Sequence, residues 1–180
     1  MGAKRRSLTM IEKPQNPCLI GVLSDTHGYA NRVGRAARLF AERGVRRLFH
    51  CGDIGGESVA DALTGFKATY VAGNVDWDFA ALNTHIQAAD SELNALWAEA
   101  TVCGKRLALT HGHNGALLNS LIVGGHYDYV FHGHTHTFRD ERVGTTRVVN
   151  PGALHGVRAH SVAVIDLTAD TVERILVPSS

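Results

Sequence analysis

Short polar segments follow six apolar stretches of the sequence, and they hold most of the residues that could do chemistry. The segments are Asp25-Thr26-His27, Cys51-Gly52-Asp53, Gly73-Asn74-Val75-Asp76, Thr110-His111-Gly112-His113, Gly133-His134-Thr135-His136 and Asn150-Pro151-Gly152. Ligands of open α/β sheets bind where the carboxyl ends of strands share an edge. We therefore expect seven side chains to converge there: Asp25, His27, Asp53, Asn74, His111, His134 and His136.

Imidazole nitrogens, carboxylate oxygens and an amide oxygen together form a mixed shell suited to divalent metal ions. No thiolate is well placed among them, which disfavours a structural zinc site. Seven donors are too many for one tetrahedral ion, but they suit two ions about 3.5–4 Å apart. Two such ions, two carboxylates and one hydroxide leave a net charge of about +1, which would attract an anionic substrate such as a phosphate ester.

The elements that must position these side chains alternate between apolar strands and helical patterns. This alternation predicts an α/β fold with a parallel sheet. Strands are expected at 19–23, 47–50, 68–71, 99–103, 106–110, 129–131, 138–143, 146–149, 161–167 and 171–177, and helices at 31–43, 58–63, 76–82 and 115–123. Gly104-Lys105 is expected to form a hairpin turn. The segment 84–96 gives no clear pattern.

Composition indicates one globular domain. Of 180 residues, 44% are hydrophobic and 19% are charged, and the net charge of +1 argues against a dedicated nucleic-acid binder. No apolar run reaches the roughly 18 residues of a membrane span. We expect a flexible basic leader at 1–16 and a single domain at 17–180.

The three cysteines are Cys18, Cys51 and Cys103, which are far apart and form no Cys-x-x-Cys pair. Disulfides are rare in reducing compartments, and an odd, scattered set gives no disulfide framework. We therefore expect small packing residues without a disulfide, and a cytoplasmic protein.

In order and spacing, Asp25-x-His27, Gly52-Asp53, Gly73-Asn74, His111-Gly112 and Gly133-His134-x-His136 resemble the calcineurin-like metallophosphoesterase superfamily. The resemblance runs from Leu19 to Val177 and is closest to the small, compact phosphodiesterases. It implies a four-layer α/β/β/α sandwich of two mixed β-sheets flanked by helices.

The resemblance also implies roles for the metal ligands. Asp25, His27 and His136 would hold the first ion. Asn74, His111 and His134 would hold the second, and Asp53 would bridge both. The ions would be manganese, with iron, nickel, cobalt or zinc as alternatives. The implied reaction is hydrolysis of a small phosphate ester, a diester with a monoester as the alternative, by in-line attack of a metal-bridging hydroxide. Asn74 and His113 are the candidate catalytic side chains.

The sequence departs from the superfamily at two positions. Val75 stands where many of its phosphatases have a histidine that protonates the leaving group, which favours substrates with good leaving groups. Ala153 stands where the compact subfamily often has serine, which places a local hydrogen bond in doubt.

Several alternatives remain open from the residues alone. Asp25 could cap a helix, Asp53 could belong to an ordinary turn, and Asp76 could orient a ligand histidine or cap the next helix. His113 could be an exposed loop residue. His155, Arg158 and His160 could line the rim of the substrate pocket or lie on the ordinary protein surface. His50 and His132 are expected to be hydrogen-bonded rather than ligands.

Two other functions compete with a dimetal phosphoesterase. The first is a protein-interaction scaffold, since a retromer subunit has this fold with an altered metal site. The second is a single-metal hydrolase, which would leave several donors idle. The complete set of seven donors favours the enzyme. A homo-oligomer is possible, and no membrane contact is expected.

Overall fold

Two β-sheets packed face to face form the centre of the computed structural model, which describes residues 16–179. The strands are β1 (Leu19–Leu23), β2 (Arg47–His50), β3 (Lys67–Val71), β4 (Glu92–Asn94), β5 (Trp97–Val102), β6 (Lys105–Thr110), β7 (Tyr129–Phe131), β8 (Arg139–Val143), β9 (Thr146–Asn150), β10 (Ser161–Asp166) and β11 (Thr171–Leu176). The helices are α1 (Ala30–Glu42), α2 (Glu57–Asp61), α3 (Phe79–Ala88) and α4 (Gly115–Val123).

Both sheets mix parallel and antiparallel pairs. The first has the order β11-β10-β1-β2-β3-β4, with β1 to β4 parallel, and the second has the order β5-β6-β7-β9-β8, with β6, β7 and β9 parallel. The parallel strands of each sheet therefore bring their carboxyl ends to one edge. The predicted metal ligands lie in the loops that leave this edge.

Three hydrophobic clusters separate four layers. Between the sheets, Val22 and Phe49 of the first pack with Phe131 of the second. Helices α1, α2 and α3 cover the outer face of the first sheet, and α4 covers the second through Leu121 and Ile122. This arrangement confirms the α/β/β/α sandwich that the resemblance implied.

Strand β1 shows how the sequence sets these layers. Ile20 and Val22 face the other sheet, whereas Leu23 belongs to the cluster under the helices. A side chain at Gly21 would come within 2.8 Å of the Phe40 ring of α1. Glycine therefore allows α1 to pack closely against the strand.

The segment around α3 corrects two expectations. The helix begins at Phe79 rather than residue 76, because the Asp78 side chain accepts the Ala81 N–H at 3.2 Å and caps it. The helix then continues to Ala88, and β4 follows within the segment 84–96 that gave no pattern. With only three residues, β4 is too short for its alternation to be recognised.

The predicted hairpin turn is shifted by one residue. Val102 pairs with Lys105, so the turn residues are Cys103 and Gly104, with φ of 48° and 75°. Two successive positive φ values are those of a type I′ turn.

The expectation that the cysteines form no disulfide is wrong for one pair. Cys18 and Cys103 are bonded, with Cα atoms 6.7 Å apart and a sequence separation of 85, while Cys51 is free and buried. The start of β1 and the β5–β6 turn belong to different sheets that meet in the fold. Sequence spacing could not show this proximity. Because a disulfide is present, the cysteines no longer indicate a reducing compartment.

Two expectations concern the basic leader and membrane contact. The predicted basic leader, 1–16, lies outside the described residues except for Asn16, so its boundary with the domain stays a prediction. Within residues 16–179, every helix is too short or too polar to cross a bilayer.

Candidate metal centre

The loops that follow β1, β2, β6 and β7 are tied together by backbone hydrogen bonds. The N–H groups of Asp25 and His27 donate to the carbonyls of Gly52 and Asp53, at 3.0 and 2.9 Å. The Gly133 N–H donates to the His111 carbonyl at 2.9 Å. The backbone N–H of His134 donates to the Asp25 carboxylate at 3.1 Å and joins these two pairs of loops at the sheet edge.

Three potential ligands lie at the base of this surface and are buried. Asp25, Asp53 and His111 have exposed fractions of 0%, 3% and 0%, and each places a donor atom within 4.8 Å of the others. The Asp53 Oδ1 atom is 3.4 Å from the His111 Nε2 atom. We refer to these residues as the buried trio.

A second group shares Asp25 and reaches toward solvent. Donor atoms of Asp25, His27 and His136 also lie within 4.8 Å of one another, and both histidines are half-buried. The His136 Nε2 atom is 3.2 Å from Asp25 Oδ1, and the His27 Nε2 atom is 3.4 Å from Asp53 Oδ2. This group matches the three ligands expected for the first ion.

The remaining two expected ligands flank His111 and are exposed. The Asn74 Oδ1 atom is 3.0 Å from His111 Nε2. The His134 ring centroid is 5.1 Å from that of His111, and the His134 N–H donates to Asp25 Oδ2 at 3.1 Å. The seven predicted side chains thus share one region. We call His27, Asn74, His134 and His136 the rim ligands, because they surround the buried trio.

The backbone at this centre is unusual. Among residues 16–179, eight non-glycine residues have positive φ, and five of them are predicted ligands: Asp25 (53°), His27 (45°), Asp53 (53°), His134 (66°) and His136 (56°). This region is disfavoured for residues with a side chain, and such strain clusters at functional sites. These backbone conformations occur at the loops that bring the donor atoms together.

Two glycines provide space for the carboxylates. A Cβ atom on Gly73 would lie 2.0 Å from Asp53 Oδ1. A Cβ atom on Gly133 would lie 1.8 Å from Ser24 Oγ and 2.6 Å from Asp25 Oδ2. Neither position can hold a side chain unless a carboxylate moves, which explains why glycine precedes Asn74 and His134.

The hydrogen bonds of the His111 ring favour a positive charge at the centre. Its Nδ1–H donates to the Cys51 carbonyl at 2.8 Å, so in the neutral ring Nε2 carries a lone pair. That lone pair faces the Asn74 Oδ1 atom and the Asp53 carboxylate, which are also acceptors. A second proton or a cation would satisfy these facing acceptors. A carbonyl that fixes the tautomer of a histidine is also typical of metal ligands.

The His27 ring leads to the same conclusion. Its Nε2 atom is buried and has no hydrogen-bond partner among the described residues. Buried polar nitrogens are nearly always satisfied in folded proteins. A cation between this nitrogen and the nearby carboxylates would satisfy it, so the residues fit a metal.

The pKa shifts reflect this crowding of charge. Burial raises the pKa of Asp25, although Ser24 and nearby histidines oppose the effect. Burial would also raise the pKa of Asp53 and lower that of His111, but their mutual contact prevails and shifts both pKa values the other way. Because metal ligands bind in their deprotonated forms, cations would compete with protons for Asp25 and His111.

Asp76 takes neither of the roles expected from sequence. Its carboxylate accepts N–H groups from Gly73 at 2.8 Å, Ile54 at 3.2 Å and Gly55 at 3.0 Å. It therefore ties the loop that carries Asn74 to the loop that carries Asp53. It caps no helix because Asp78 occupies that position.

The other histidines divide between the centre and its surroundings. His113 is exposed, with its ring 5.5 Å from that of His111, and the His155 ring lies 4.7 Å from that of His27. His160 is buried and contacts Ser179 instead of the centre, and Arg158 is exposed. Of His155, Arg158 and His160, which could line the site, His155 is therefore the one that lies next to a predicted ligand.

His50 and His132 are buried and hydrogen-bonded, as predicted. His50 Nδ1 accepts the Gly52 N–H at 3.2 Å, and its Nε2 atom contacts Thr26 Oγ1 at 3.0 Å. The His132 ring lies at the base of the loop that carries His134, 3.1 Å from the Gly133 carbonyl. Both support ligand loops from below.

Two supporting residues received no role from the sequence. Thr26 is buried and donates its hydroxyl to the Ile54 carbonyl at 2.8 Å, which links the Asp25 and Asp53 loops. Asn150 donates to the Gly133 carbonyl at 2.9 Å and holds the His134 loop. Their position beside the ligand motifs was the feature of the sequence that could have indicated this supporting role. Ala153 is buried, and in the same loop the Pro151 carbonyl accepts the Ser161 hydroxyl at 2.9 Å.

Comparison with known proteins agrees with this geometry. The calcineurin-like phosphoesterase superfamily domain model matches residues 18–170. Phosphodiesterase MJ0936 of Methanocaldococcus jannaschii is 30% identical over 141 residues, which cover 76% of this chain and 84% of that protein.

Solved structures share the fold. An archaeal phosphodiesterase matches with a TM-score of 0.83 at 24% identity, covering 88% of this chain and 99% of its own. Vps29 from Chaetomium thermophilum matches with a TM-score of 0.64 at 15% identity, covering 89% and 99%.

This chain therefore belongs to the calcineurin-like phosphoesterase superfamily. It is a phosphoesterase, a hydrolase of phosphate esters, as its 30% identical phosphodiesterase relative also indicates. The family implies divalent metal ions, and the clustered donor atoms provide a possible site for them.

Proposed function

We propose that the protein hydrolyses phosphodiesters with two divalent cations held by the seven predicted ligands. The orientation of Asp53 is the observation that carries this proposal. Its two oxygens face different ligand groups, Oδ1 toward His111 and Oδ2 toward His27, each at 3.4 Å. A carboxylate turned to both sides is what a bridging ligand of a dimetal centre requires.

The proposed ligand sets follow this division. Asp25, His27 and His136 would hold one cation, Asn74, His111 and His134 would hold the other, and Asp53 would be shared between them. Two bound cations would lower the pKa of a shared water and neutralise charge on the phosphoryl oxygens. Asn74 is also the candidate to orient the phosphoryl group, because its side chain is exposed beside His111.

The chain supplies little acid catalysis near the leaving group. Val75 follows Asn74, and its N–H donates to Asp53 Oδ1 at 3.2 Å, so its role at the centre is to support the bridging carboxylate. Its side chain cannot donate a proton. His113, which is exposed beside His111, is the other candidate catalytic side chain. We therefore propose a preference for diesters with good leaving groups over ordinary monoesters.

The second candidate function is a protein-interaction scaffold. Superposition alone does not decide between the two, since both a phosphodiesterase and Vps29 match the fold. The donor set supports the enzyme, because a scaffold has no need of two buried carboxylates against a buried histidine. Burying charged groups without a partner is costly.

The remaining assignments are proposals of finer detail. Manganese is the proposed metal, with iron, nickel, cobalt and zinc as alternatives that accept the same shell. The proposed substrate is a small phosphate ester, without nucleic acid or membrane partners, and the chain could act as a homo-oligomer. A cytoplasmic location is also proposed, although the Cys18–Cys103 disulfide weighs against the cysteine argument for it.

A substrate panel across metals tests the function. Metal-stripped protein would be loaded separately with each candidate ion and assayed with aryl phosphodiesters, phosphate monoesters and cyclic nucleotides. We expect the highest rates with activated diesters and none after chelation. Equal rates with and without chelator would contradict the proposal.

A further inference from the structure

A cavity of about 350 Å³ adjoins the metal centre on the side of α3. Its apolar walls include Val75, Trp77 and Leu82, and its carboxylates belong to Glu57, Asp76 and Asp78. This volume lies within the range of small-ligand sites, roughly 300–1,000 Å³. We call it the Trp77 pocket.

The Trp77 pocket begins one residue from the ligand loops. Val75 lines it and directly follows Asn74, and the Val75 N–H is bonded to the bridging carboxylate of Asp53. Gly55 lines it as well, and a Cβ atom there would lie 2.8 Å from the His27 backbone. The pocket therefore borders the loops that carry His27, Asp53 and Asn74.

Trp77 is an unusual side chain for this position. It is 88% exposed, more than any other large hydrophobic side chain in residues 16–179. Folding gains nothing from so exposed an indole. Its flat face is available to stack on another aromatic ring.

The charges of the pocket restrict what it can hold. Among the described residues, its charged lining groups are all carboxylates. Asp76 accepts three backbone N–H groups and Asp78 caps α3, whereas Glu57 lies 3.7 Å from His85. An anionic group would be repelled here, and the apolar walls favour an uncharged one.

We propose that the Trp77 pocket binds an uncharged aromatic group esterified to the phosphate, which stacks on the Trp77 indole. The inference rests on the proposed function, because that function places the phosphoryl group at the metal centre. It narrows the substrate class to diesters with at least one neutral aromatic or heterocyclic ester group, and it disfavours esters with a second anionic group.

The test compares phosphonates that present the same phosphoryl oxygens and differ in one substituent. Methyl-, phenyl-, 2-aminoethyl- and carboxymethylphosphonate would be titrated into the metal-loaded protein by calorimetry and as inhibitors of aryl diester hydrolysis. We expect phenylphosphonate to bind roughly five- to tenfold more tightly than methylphosphonate. Carboxymethylphosphonate should bind most weakly.

The Trp77→Ala variant should remove the preference for phenyl while Trp77→Phe retains most of it. Trp97→Ala serves as the matched control, since Trp97 lies on β5 and does not line the pocket. It should leave the ratio of the two dissociation constants unchanged.

Each remaining outcome contradicts a distinct claim. Equal binding of phenyl- and methylphosphonate, or an unchanged ratio in Trp77→Ala, would overturn the pocket alone. Tighter binding of the aminoethyl compound than of the phenyl compound would overturn its aromatic specificity. Failure of methylphosphonate to bind any of the proteins, together with no diester hydrolysis, would contradict the proposed function itself and the pocket with it.

Discussion

The buried trio and the rim ligands belong to the same centre but differ in what holds them. Asp25, Asp53 and His111 lie at the ends of β1, β2 and β6 and are almost fully buried. The rim ligands are half-buried or exposed on the loops beyond. Loop conformation positions both sets, but burial at the sheet edge restricts the buried trio more than the rim ligands.

The two sets therefore differ in the energetic cost of burying them and in the role left to them. Burial of the Asp25 carboxylate opposes folding, as its raised pKa indicates, whereas the contact between Asp53 and His111 offsets the burial of that pair. A chain gains from such a set only if something positive binds there. Except for the His27 Nε2 atom, which is buried without a hydrogen-bond partner, the rim side chains are more exposed, so they can tune affinity and substrate access at a smaller cost of burial.

The largest effect is expected for the bridging carboxylate. Asp53→Asn removes a negative charge that faces both ligand groups, so hydrolysis of an aryl phosphodiester should fall by about 10³-fold or more. Steady-state rates and bound metal, measured together, would check this. Asp61→Asn is the control, because Asp61 is exposed and pairs with His85. Near-normal activity in Asp53→Asn would move the chemistry elsewhere.

Alanine substitution of one histidine from each set compares the two directly. His111→Ala should lower metal affinity by more than 10²-fold, because it leaves Asp53 buried without its partner. His134→Ala should lower it by less, because His134 is exposed and its loss leaves no buried charge without a partner. Competition with a metal-binding dye gives both values. A larger loss for His134→Ala would reverse the proposed division.

The disulfide tests whether the buried trio depends on the way the sheets are joined. Cys103→Ser opens a link that spans 85 residues, which should lower the free energy of unfolding by about 2–4 kcal/mol. Activity should be unchanged, because the hydrogen-bonded loops at the sheet edge position the trio. Urea unfolding and diester hydrolysis would be measured for this variant and for Cys51→Ser. A loss of activity in the folded Cys103→Ser protein would show that the link positions the centre.

Glycine substitutions probe the space around the carboxylates. Gly133→Ala places a Cβ atom against Ser24 and Asp25, and should lower stability by about 1–3 kcal/mol together with activity. Gly34→Ala lies in α1 with open space around it and should raise stability by about 0.5–1 kcal/mol. Thermal unfolding would distinguish them, and equal effects would contradict the tight packing at Gly133.

The smallest effect is a pH dependence of stability beneath the ligand loops. Burial lowers the pKa of His132 and of His50 to about 4 from an ordinary 6.5. Between these values the unfolded chain binds more protons, so stability is complete above pH 6.5 and falls as the pH drops toward 4. Each histidine should account for about 1–2 kcal/mol of loss at pH 5.

Urea unfolding with chelator at pH 7 and pH 5 checks this dependence without metal release. His132→Gln should lose less stability between the two pH values than the parent protein. Equal losses would mean that His132 is not held neutral by burial.

The sequence was informative where local pattern and fold coincide. The seven ligands could be predicted to converge because each follows an apolar strand, and the order of their motifs resembled one superfamily. Asp76 could not be interpreted because its partners, Ile54 and Gly55, lie in another loop. The Cys18–Cys103 pair was missed for the same reason, since only the packing of two sheets brings them together.

Metal stoichiometry tests the central claim most directly. Metal-stripped protein would be loaded with manganese, dialysed and analysed by native mass spectrometry beside Asp53→Asn. We expect two ions per chain in the parent protein and fewer in the variant, because Asp53 faces both ligand groups. A firm value of zero or one ion in the parent protein, with each of the candidate metals, would contradict the dimetal centre.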